Sequence, residues 1–365
     1  MATRTVGTPG PMEAELFEFV AAVSEPHPIW YERAWERLDS LTKPPRSLGR
    51  LEELAARMAR AQGTDRPRTD PSAIVLCAGD HGVVEEGVSA WPAEVTQQMV
   101  ANFVSGGAAI NQLAGQFNSR LILVDVGVAG DTSGLAGVLQ QKVRPGTRNF
   151  MKEPAMTREE AAEAFLVGAH LARHLAFDDV RVIGIGEMGI GNSTAASALV
   201  AAYTNVPVNR VVGRGTGVDD AVLSRKTALV NRALALHKPD RDDPLGTLAA
   251  FGGYEIAAMA GVLIGGASAA ACVVTDGFIA SSAALAAAMI CPACMQYAFA
   301  SHLSAEPGHR VALVALGLEP YIDLGMSLGE GTGAALGIGI MGAACQMMNG
   351  MATFAEAGVS AKEDR

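Results

Sequence analysis

Clusters of basic residues are missing from this chain of 365 residues, which has 28 lysines and arginines against 38 acidic residues and a formal net charge of −10. Proteins that bind nucleic acid gain much of their affinity from clustered lysine and arginine. The acidic balance therefore argues against nucleic acid as a partner. Aromatic residues are also scarce, at 5%, which leaves aliphatic side chains to form the core.

The sequence also lacks clear targeting and membrane-spanning segments. Residues 1–11 do not show the charged and then apolar layout of a secretory signal. Residues 256–275 form an uncharged run of about the length that a spanning helix needs, but the run is rich in alanine and glycine and lacks flanking basic anchors. We predict a buried helix followed by a buried strand, in a cytoplasmic protein with no membrane partner.

The five cysteines do not make a disulfide framework in a chain of this length. Cys291 and Cys294 have the spacing of a redox pair or of half a zinc site, but no second pair accompanies them. They lie in an alanine-rich run. We expect reduced, packed cysteines and no bound metal.

Aliphatic residues and glycine are abundant, since 49% of the chain is hydrophobic and 41 residues are glycine. Helical periodicity predicts helices over residues 13–23, 34–41, 48–61 and 331–348. Short β-branched runs predict strands over residues 73–76, 121–124, 180–185, 211–212, 273–274 and 311–316. Because these runs alternate with longer alanine-rich ones, we predict an α/β fold with a doubly wound, mostly parallel sheet. Ligands bind beyond the carboxyl ends of the strands in such sheets.

Asp80 and His81 directly follow the first predicted strand, where polar side chains have no core to join. They are typical of substrate hydrogen bonding, of a metal pair or of acid–base catalysis. An aspartate in this position is equally typical of a cap for the following helix. The residues alone leave these alternatives open.

A second glycine-rich stretch reads G-x-G-x-x-G at Gly184, Gly186 and Gly189. The pattern is typical of dinucleotide-binding oxidoreductases, yet the acidic residue expected about twenty positions later is missing. The following helix is predicted to begin late, at residues 192–194, which are good N-cap residue types. Glycines that lead into a helix N-terminus form a general phosphate site, so we favour a phosphorylated ligand.

Glu330 is the acidic residue with the clearest chemical signal, because it stands among the glycines of residues 328–333. Glutamate is a poor choice for a tight turn, where aspartate or asparagine serves better. Further candidate turns, whose polar residues are either ligand contacts or caps, are residues 213–217, 276–278 and 301–306. The first of these turns precedes a helix that carries Lys226.

Residues 43–52, 79–83, 184–189 and 328–333 occur in one order, and together they resemble the nicotinate-nucleotide–dimethylbenzimidazole phosphoribosyltransferase family. The resemblance runs from about residue 41 to residue 348. It implies a homodimer whose large domain is Rossmann-like, over residues 66–300, and whose small helical domain comes from residues 1–65 and 301–365. The implied reaction converts nicotinate mononucleotide and 5,6-dimethylbenzimidazole to α-ribazole 5'-phosphate and nicotinate, without a cofactor.

The resemblance also implies roles for individual residues. Glu330 matches the catalytic base of the family, and Glu187 and Lys226 match active-site positions. The expected substrate-binding residues are Asp80, Trp91, Met99, Gly189, Gly191, Asn192, Ser193, Thr194, Gly215, Asp276, Ser304, Leu328 and Gly329. Some relatives carry serine in place of Trp91 and glutamine in place of Met99, so the preferred base, whether a benzimidazole, a purine or a phenol, stays open.

The chemistry of this reaction needs one carboxylate. The pyridine nitrogen departs neutral, but the attacking benzimidazole becomes cationic unless its N–H proton is removed, a general-base step worth roughly 10²–10⁴-fold. Attack opposite the departing nicotinate inverts the sugar carbon. Because no pyrophosphate leaves, the reaction does not demand Mg²⁺. The rival interpretations are an NAD-dependent oxidoreductase and a non-catalytic nucleotide sensor.

Overall fold

The computed structural model describes residues 10–360 apart from Thr216 and Val218. Its strands are Ser72–Gly79 (β1), Ser119–Gly127 (β2), Val138–Gln140 (β3), Val182–Met188 (β4), Cys272–Thr275 (β5) and Ala298–Ala300 (β6). They form one sheet in the order β3-β2-β1-β4-β5-β6, in which every neighbouring pair is parallel. The order reverses between β1 and β4, which is where ligands bind in doubly wound sheets.

Helices occupy most of the remaining chain. They are Pro11–Ala22 (α1), Ile29–Ser40 (α2), Arg50–Gln62 (α3), Glu94–Val104 (α4), Ala109–Gln116 (α5), Arg158–Phe177 (α6), Asn192–Thr204 (α7), Asp220–His237 (α8), Pro244–Phe251 (α9), Tyr254–Ser268 (α10), Phe278–Ile290 (α11), Pro307–Leu316 (α12), Thr332–Gly350 (α13) and Phe354–Ala357 (α14). The predicted α/β fold with a parallel sheet is therefore confirmed.

The two faces of β4 contact different helices, because side chains alternate along a strand. A Cβ atom on Gly184 would lie 3.2 Å from Ala334 Cβ in α13, and one on Gly186 would lie 2.5 Å from Gly331 N. On the other face, Ile183 lies beside Gly266 in α10. The first two glycines of the G-x-G-x-x-G pattern thus lie inside a strand and serve helix packing, whereas a dinucleotide fingerprint needs its first glycine in the turn.

Several predicted elements are confirmed. The predicted strands at residues 73–76, 121–124, 180–185 and 273–274 correspond to β1, β2, β4 and β5. The predicted helices at residues 13–23, 34–41, 48–61 and 331–348 correspond to α1, α2, α3 and α13. The uncharged run at residues 256–275 is the buried helix α10 followed by the buried strand β5. Among the described residues, no helix combines the length and the hydropathy needed to cross a membrane.

Two predicted strands are wrong. Val211 and Val212 follow a 3-10 turn and form no strand. Residues 311–316 belong to α12, because Pro307 at its N-terminus and Gly317, in a left-handed conformation at its C-cap, delimit a helix. The sequence analysis also missed β3 and β6, which are only three residues long each and leave almost no pattern to detect.

The N-terminal and C-terminal segments pack against each other. Arg37 donates a hydrogen bond from Nε to the carbonyl oxygen of Met348 (2.8 Å), and Leu41 forms an antiparallel bridge with Thr353. The helix α3 also contacts α13. The division into domains at residues 65 and 300 stays a prediction.

Helices α6 and α10 approach each other closely through glycine. A Cβ atom on Gly168 would collide with the carbonyl oxygen of Ala258, and one on Gly261 would collide with that of Phe165. Every residue of α10 from Tyr254 to Ala267 is buried. The backbone contact between the two helices therefore positions α10 against the sheet.

We predict that Gly261→Val lowers the free energy of unfolding by about 3 kcal/mol, because the new side chain forces the two helices apart. Urea unfolding followed by circular dichroism measures the change. Gly115→Ala is the matched control, since Gly115 is an exposed helical glycine with open space around it. Its effect should stay within about 1 kcal/mol, and equal effects of the two substitutions would contradict the role given to the helix contact.

Candidate active site

A cavity of about 450 Å³ lies where the strand order reverses, beyond the carboxyl ends of β1, β4, β5 and β6. The predicted site residues that line it are Trp91, Met99, Glu187, Gly189, Gly191, Asn192, Ser193, Gly215, Lys226, Ser304, Leu328, Gly329 and Glu330. Asp80, Thr194 and Asp276 are not among its lining residues. The fold therefore brings most of the predicted residues to one cavity and places three beneath its walls.

Residues 189–191, which we call the glycine loop, connect β4 to α7. Gly191 is the N-cap of α7, with φ of 94°, and no side chain caps the helix. The predicted helix start at residues 192–194 is confirmed, but Asn192 and Ser193 point to other partners. The Asn192 amide donates to Glu187 Oε2, and Thr194 is fully buried. An uncapped helix N-terminus that faces a cavity is a favourable place for an anion.

Lys226 adds a positive charge beside this helix end. Its ammonium group is almost fully buried and donates to Ser193 Oγ (3.2 Å) and to the carbonyl oxygen of Gly213 (3.3 Å). Burial lowers the pKa of Lys226, while the neighbouring Glu306 carboxylate opposes that shift. Arg214 lines the same part of the cavity and forms an ion pair with Asp220. Of the predicted turn at residues 213–217, Thr216 lies outside the described residues.

Glu330 has a backbone conformation that is rare for a residue with a side chain. Its φ is 62°, and its neighbours Gly329 and Gly331 have φ of 89° and 81°. A non-glycine residue in this region costs about 1–3 kcal/mol, and such residues cluster at functional sites. The conformation brings the Glu330 side chain to the cavity wall, where it is mostly buried.

Asp276, at the end of β5, holds the loop that carries Glu330. Its Oδ2 accepts a hydrogen bond from Gly331 N (3.0 Å), and its Oδ1 accepts from Gly333 N (2.7 Å) and Ala334 N (3.3 Å). The carboxylate thus satisfies the first N–H groups of α13 and sits at the positive end of its dipole. Asp276 therefore lies behind Glu330 and fixes the backbone on which Glu330 is carried.

Three carboxyl groups share this region, and their proximity shifts their pKa values. Burial raises the pKa of Glu330 to about 7, with a further contribution from Asp276. Burial raises the pKa of Glu187 to about 8, with added repulsion from Asp276, Glu255 and Glu330. Close carboxyl groups do not all ionise at neutral pH. Glu187 is therefore mostly protonated near neutrality, while Glu330 titrates there.

Much of the remaining cavity wall is apolar. It is formed by Val88, Trp91, Val95, Met99, Met188, Ile190, Phe278, Ile279 and Leu328. The side chains of Trp91 and Leu328 are more than half exposed, at 52% and 57%. An apolar wall of this kind, beside a few convergent polar groups, is suited to a flat aromatic ligand.

Asp80 and His81 lie behind the glycine loop. Asp80 Oδ2 accepts a hydrogen bond from Ala129 N (2.7 Å). Burial raises the pKa of Asp80, and a hydrogen bond with Thr96 opposes this shift. Because Thr96 Oγ1 also accepts from Ile190 N (3.1 Å), Asp80 is connected to the loop through Thr96. His81 bonds to Glu255.

Sequence reasoning did not single out His302, Glu306 or Phe278, which also line the cavity. His302 and Glu306 follow β6, a strand too short to be predicted, and Phe278 begins α11 directly after β5. The sequence analysis predicts ligand contacts or caps in the turn at residues 301–306 but does not distinguish among its polar residues. His302 and Glu306 reach the cavity because β6 pairs with β5, and the sequence does not show that pairing.

Comparison with known proteins identifies the class. A sequence model of the phosphoribosyltransferase family matches residues 23–359. The chain belongs to this family and is a transferase enzyme, so the resemblance seen in its motifs is confirmed.

Its relatives narrow the identification. The chain is 51% identical over 331 residues to the nicotinate-nucleotide–dimethylbenzimidazole phosphoribosyltransferase of Chloroflexus aggregans, a match that covers 91% of this chain and 94% of the relative. The enzyme of the same name from Geobacter metallireducens is 50% identical over 333 residues, which cover 91% and 94% of the two chains. The crystal structure of CobT from Thermus thermophilus superposes with a TM-score of 0.88 at 49% identity, over 92% of this chain and 100% of that one.

We predict that the free energy of unfolding decreases as pH rises from about 5 to 8. In Glu187→Gln this decrease should be smaller by about 3 kcal/mol. The raised pKa of Glu187, about 8, means that the folded state keeps a proton that the unfolded state has already released. Rising pH therefore favours unfolding across this window. Urea titrations at several pH values measure the slope. As the control, Glu25→Gln changes an exposed carboxylate and should leave the slope unaltered. An equal slope in Glu187→Gln and in the unsubstituted protein would contradict the raised pKa of Glu187.

Proposed function

We propose that this protein transfers the phosphoribosyl group of nicotinate mononucleotide to 5,6-dimethylbenzimidazole or a related base, in cobalamin nucleotide-loop assembly. The names of its relatives support this activity. The observation that carries the proposal is the position of Glu330, a mostly buried carboxylate held in a left-handed conformation on the wall of a cavity that also contains Lys226. One cavity thus offers a proton acceptor and an anion site together.

The phosphate of the nucleotide binds at the N-terminus of α7. The N-terminus of α7, the Ser193 hydroxyl and Lys226 provide donors there. Gly215 lies beside them, since a Cβ on it would be 3.2 Å from Ser193 Oγ and 3.8 Å from Lys226 Nζ. Ser304 adds a hydroxyl to the same cavity. Fixed donors of this kind hold the sugar carbon in place for attack, which lowers the entropic part of the barrier.

The acceptor base lies against the apolar wall with its N–H directed to Glu330. As the bond from its other ring nitrogen to the sugar carbon forms, the bond from that carbon to the nicotinate nitrogen breaks. The electron pair of the broken bond stays on nicotinate, and the N–H proton passes to Glu330. Attack from the face opposite nicotinate inverts the sugar carbon to the α configuration.

Of the two glutamates, Glu187 holds its proton more tightly than Glu330 does. Its Oε2 accepts the Asn192 amide, and a Cβ on Gly329 would lie 2.5 Å from its Oε1, so its carboxyl group packs against the Glu330 loop. Because its pKa is raised to about 8, Glu187 is uncharged near neutrality. The negative charge then rests on Glu330, which is the group that accepts the proton.

The assembly and location of the enzyme also belong to this proposal. A homodimer is implied by the family resemblance. All five cysteines are buried free thiols, which supports a reducing compartment such as the cytoplasm. The packing of the two terminal segments supports a small domain built from residues 1–65 and 301–365.

We predict that the purified protein releases nicotinate from nicotinate mononucleotide and forms an α-ribotide when 5,6-dimethylbenzimidazole is added without metal. A panel of benzimidazoles, purines and phenols, analysed by liquid chromatography with mass detection, ranks the acceptors against the wall that contains Trp91 and Met99. Incubation with each substrate alone is the control. Binding of the nucleotide without nicotinate release for any acceptor would favour a sensor, and binding of nicotinamide dinucleotides would favour an oxidoreductase.

We predict that Glu330→Gln lowers kcat by roughly 10²–10⁴-fold while nicotinate mononucleotide still binds, because the amide cannot accept the proton. In the unsubstituted enzyme, kcat/KM rises as pH increases through about 7, since burial raises the pKa of Glu330 to that value and the carboxylate form is the base. The measurement is the pH profile of both enzymes. Glu319→Gln, at a side chain that is 83% exposed, should behave like the unsubstituted enzyme. Near-normal turnover in Glu330→Gln would exclude this role.

A further inference from the structure

Two buried ionisable side chains under the cavity take no part in the reaction described above. His81 directly follows Asp80 at the end of β1, and Glu255 lies in the first turn of α10. His81 Nε2 and Glu255 Oε1 are 2.5 Å apart, and the side chains are 1% and 0% exposed. The pair therefore links the strand that ends at the cavity to the helix that covers the rear face of the sheet.

This pair lies directly beneath the glycine loop. A Cβ atom on Gly189 would be 3.4 Å from Glu255 Oε1, and one on Gly191 would be 3.3 Å from His81 Cβ. Gly189 also lies so close to the carbonyl oxygen of Gly79 that a Cβ would collide with it. Gly189 thus rests on Glu255 and the end of β1. Gly191 lies against Val84 as well as His81, since its Cβ would be 2.7 Å from Val84 Cγ2.

The bond between the two residues has no substitute nearby. Within the part of the chain that the structure describes, His81 Nδ1 and Glu255 Oε2 have no hydrogen-bond partner. Loss of the His81 ring would leave the Glu255 carboxyl group enclosed without a partner, which a folded protein avoids by local rearrangement. The backbone around the carboxyl group includes Gly253, where a Cβ atom would collide with Glu255 Oε2, and Gly79, where one would lie 3.0 Å from it. It also includes the glycine loop, where a Cβ on Gly189 would lie 3.4 Å from Oε1. A rearrangement around Glu255 therefore reaches the glycine loop.

We infer that His81 and Glu255 are positioning residues that hold the glycine loop in the shape that receives the phosphate of the nucleotide. This inference rests on the proposed function, since it assigns the phosphate to that loop. It accounts for the Asp80-His81 sequence, which follows β1 without reaching the cavity lining. The role predicts a defect in binding of the phosphorylated substrate and a smaller change in binding of the base, because only Ile190 of the apolar wall belongs to the glycine loop.

Steady-state kinetics of the full-length protein test the inference with His81→Ala, Glu255→Ala and His81→Gln. We expect His81→Ala and Glu255→Ala, which both remove the hydrogen bond, to raise KM for nicotinate mononucleotide at least tenfold, with KM for 5,6-dimethylbenzimidazole changed less than threefold. His81→Gln should recover most of the affinity, because the glutamine amide can occupy the position of Nε2 and donate to Glu255. Isothermal titration with nicotinate mononucleotide alone provides a second measure that does not depend on turnover.

The matched control is Glu52→Gln, which disrupts another buried pair, formed by Lys43 Nζ and Glu52 Oε2 at 2.7 Å. It should lower the melting temperature without altering either KM. Equal changes in both KM values, or a loss of melting temperature without a KM change in the His81 and Glu255 variants, would overturn the inference. If His81→Ala does not fold, Glu255→Ala and His81→Gln decide the question. Absence of turnover in the unsubstituted protein would instead refute the proposed function, and titration would still show whether the variants bind the nucleotide less well.

Discussion

The interaction on which the site depends is the cap that the Asp276 carboxylate places on the start of α13. Its two oxygens accept hydrogen bonds from Gly331, Gly333 and Ala334, and without them these buried N–H groups would lack partners at a cost of about 1–3 kcal/mol each. The cap also stabilises the left-handed conformation of Glu330. Burial is the main cause of the raised pKa of Glu330 and of Glu187, and the Asp276 carboxylate raises both further. Asp276 therefore contributes to both the geometry and the proton affinity of the base.

The close approach of backbones makes this arrangement possible. The loop of Glu330 lies against β4 because Gly186 has no side chain, and α10 lies against α6 because Gly168 and Gly261 have none. Such contacts leave little room for alternative packing. The sheet, with α13 fixed on one face and α10 on the other, thereby holds Glu330 in a conformation that an isolated loop would not keep.

The sequence was sufficient to predict the central strands and to single out the glycine-flanked turn of Glu330, because β-branched runs and flanking glycines are local signals. The catalytic role of Glu330 stays a prediction. The sequence was not sufficient for residues 311–316, where an apolar run typical of a strand forms a helix bounded by Pro307 and Gly317. The sequence also did not reveal contacts between residues that are far apart along the chain. His81 and Glu255 are 174 positions apart, and Asp276 and Gly331 are 55 apart. No pattern in one sequence connects such residues, so the supporting positions of Asp276 and His81 emerged only from the fold.

Different segments of the chain supply the polar and the apolar parts of the cavity wall. The anion site and the carboxylates belong to β4, α7, α8 and the loop before α13, whereas much of the apolar wall belongs to residues 88–99, which bond to the glycine loop through Thr96. Trp91, half exposed on that segment, is not among the residues that hold the carboxylates in place. Substitutions at exposed positions of this segment, such as Trp91, can therefore diversify the acceptors that enzymes of this fold take, provided that Thr96 and its bond to the glycine loop are kept.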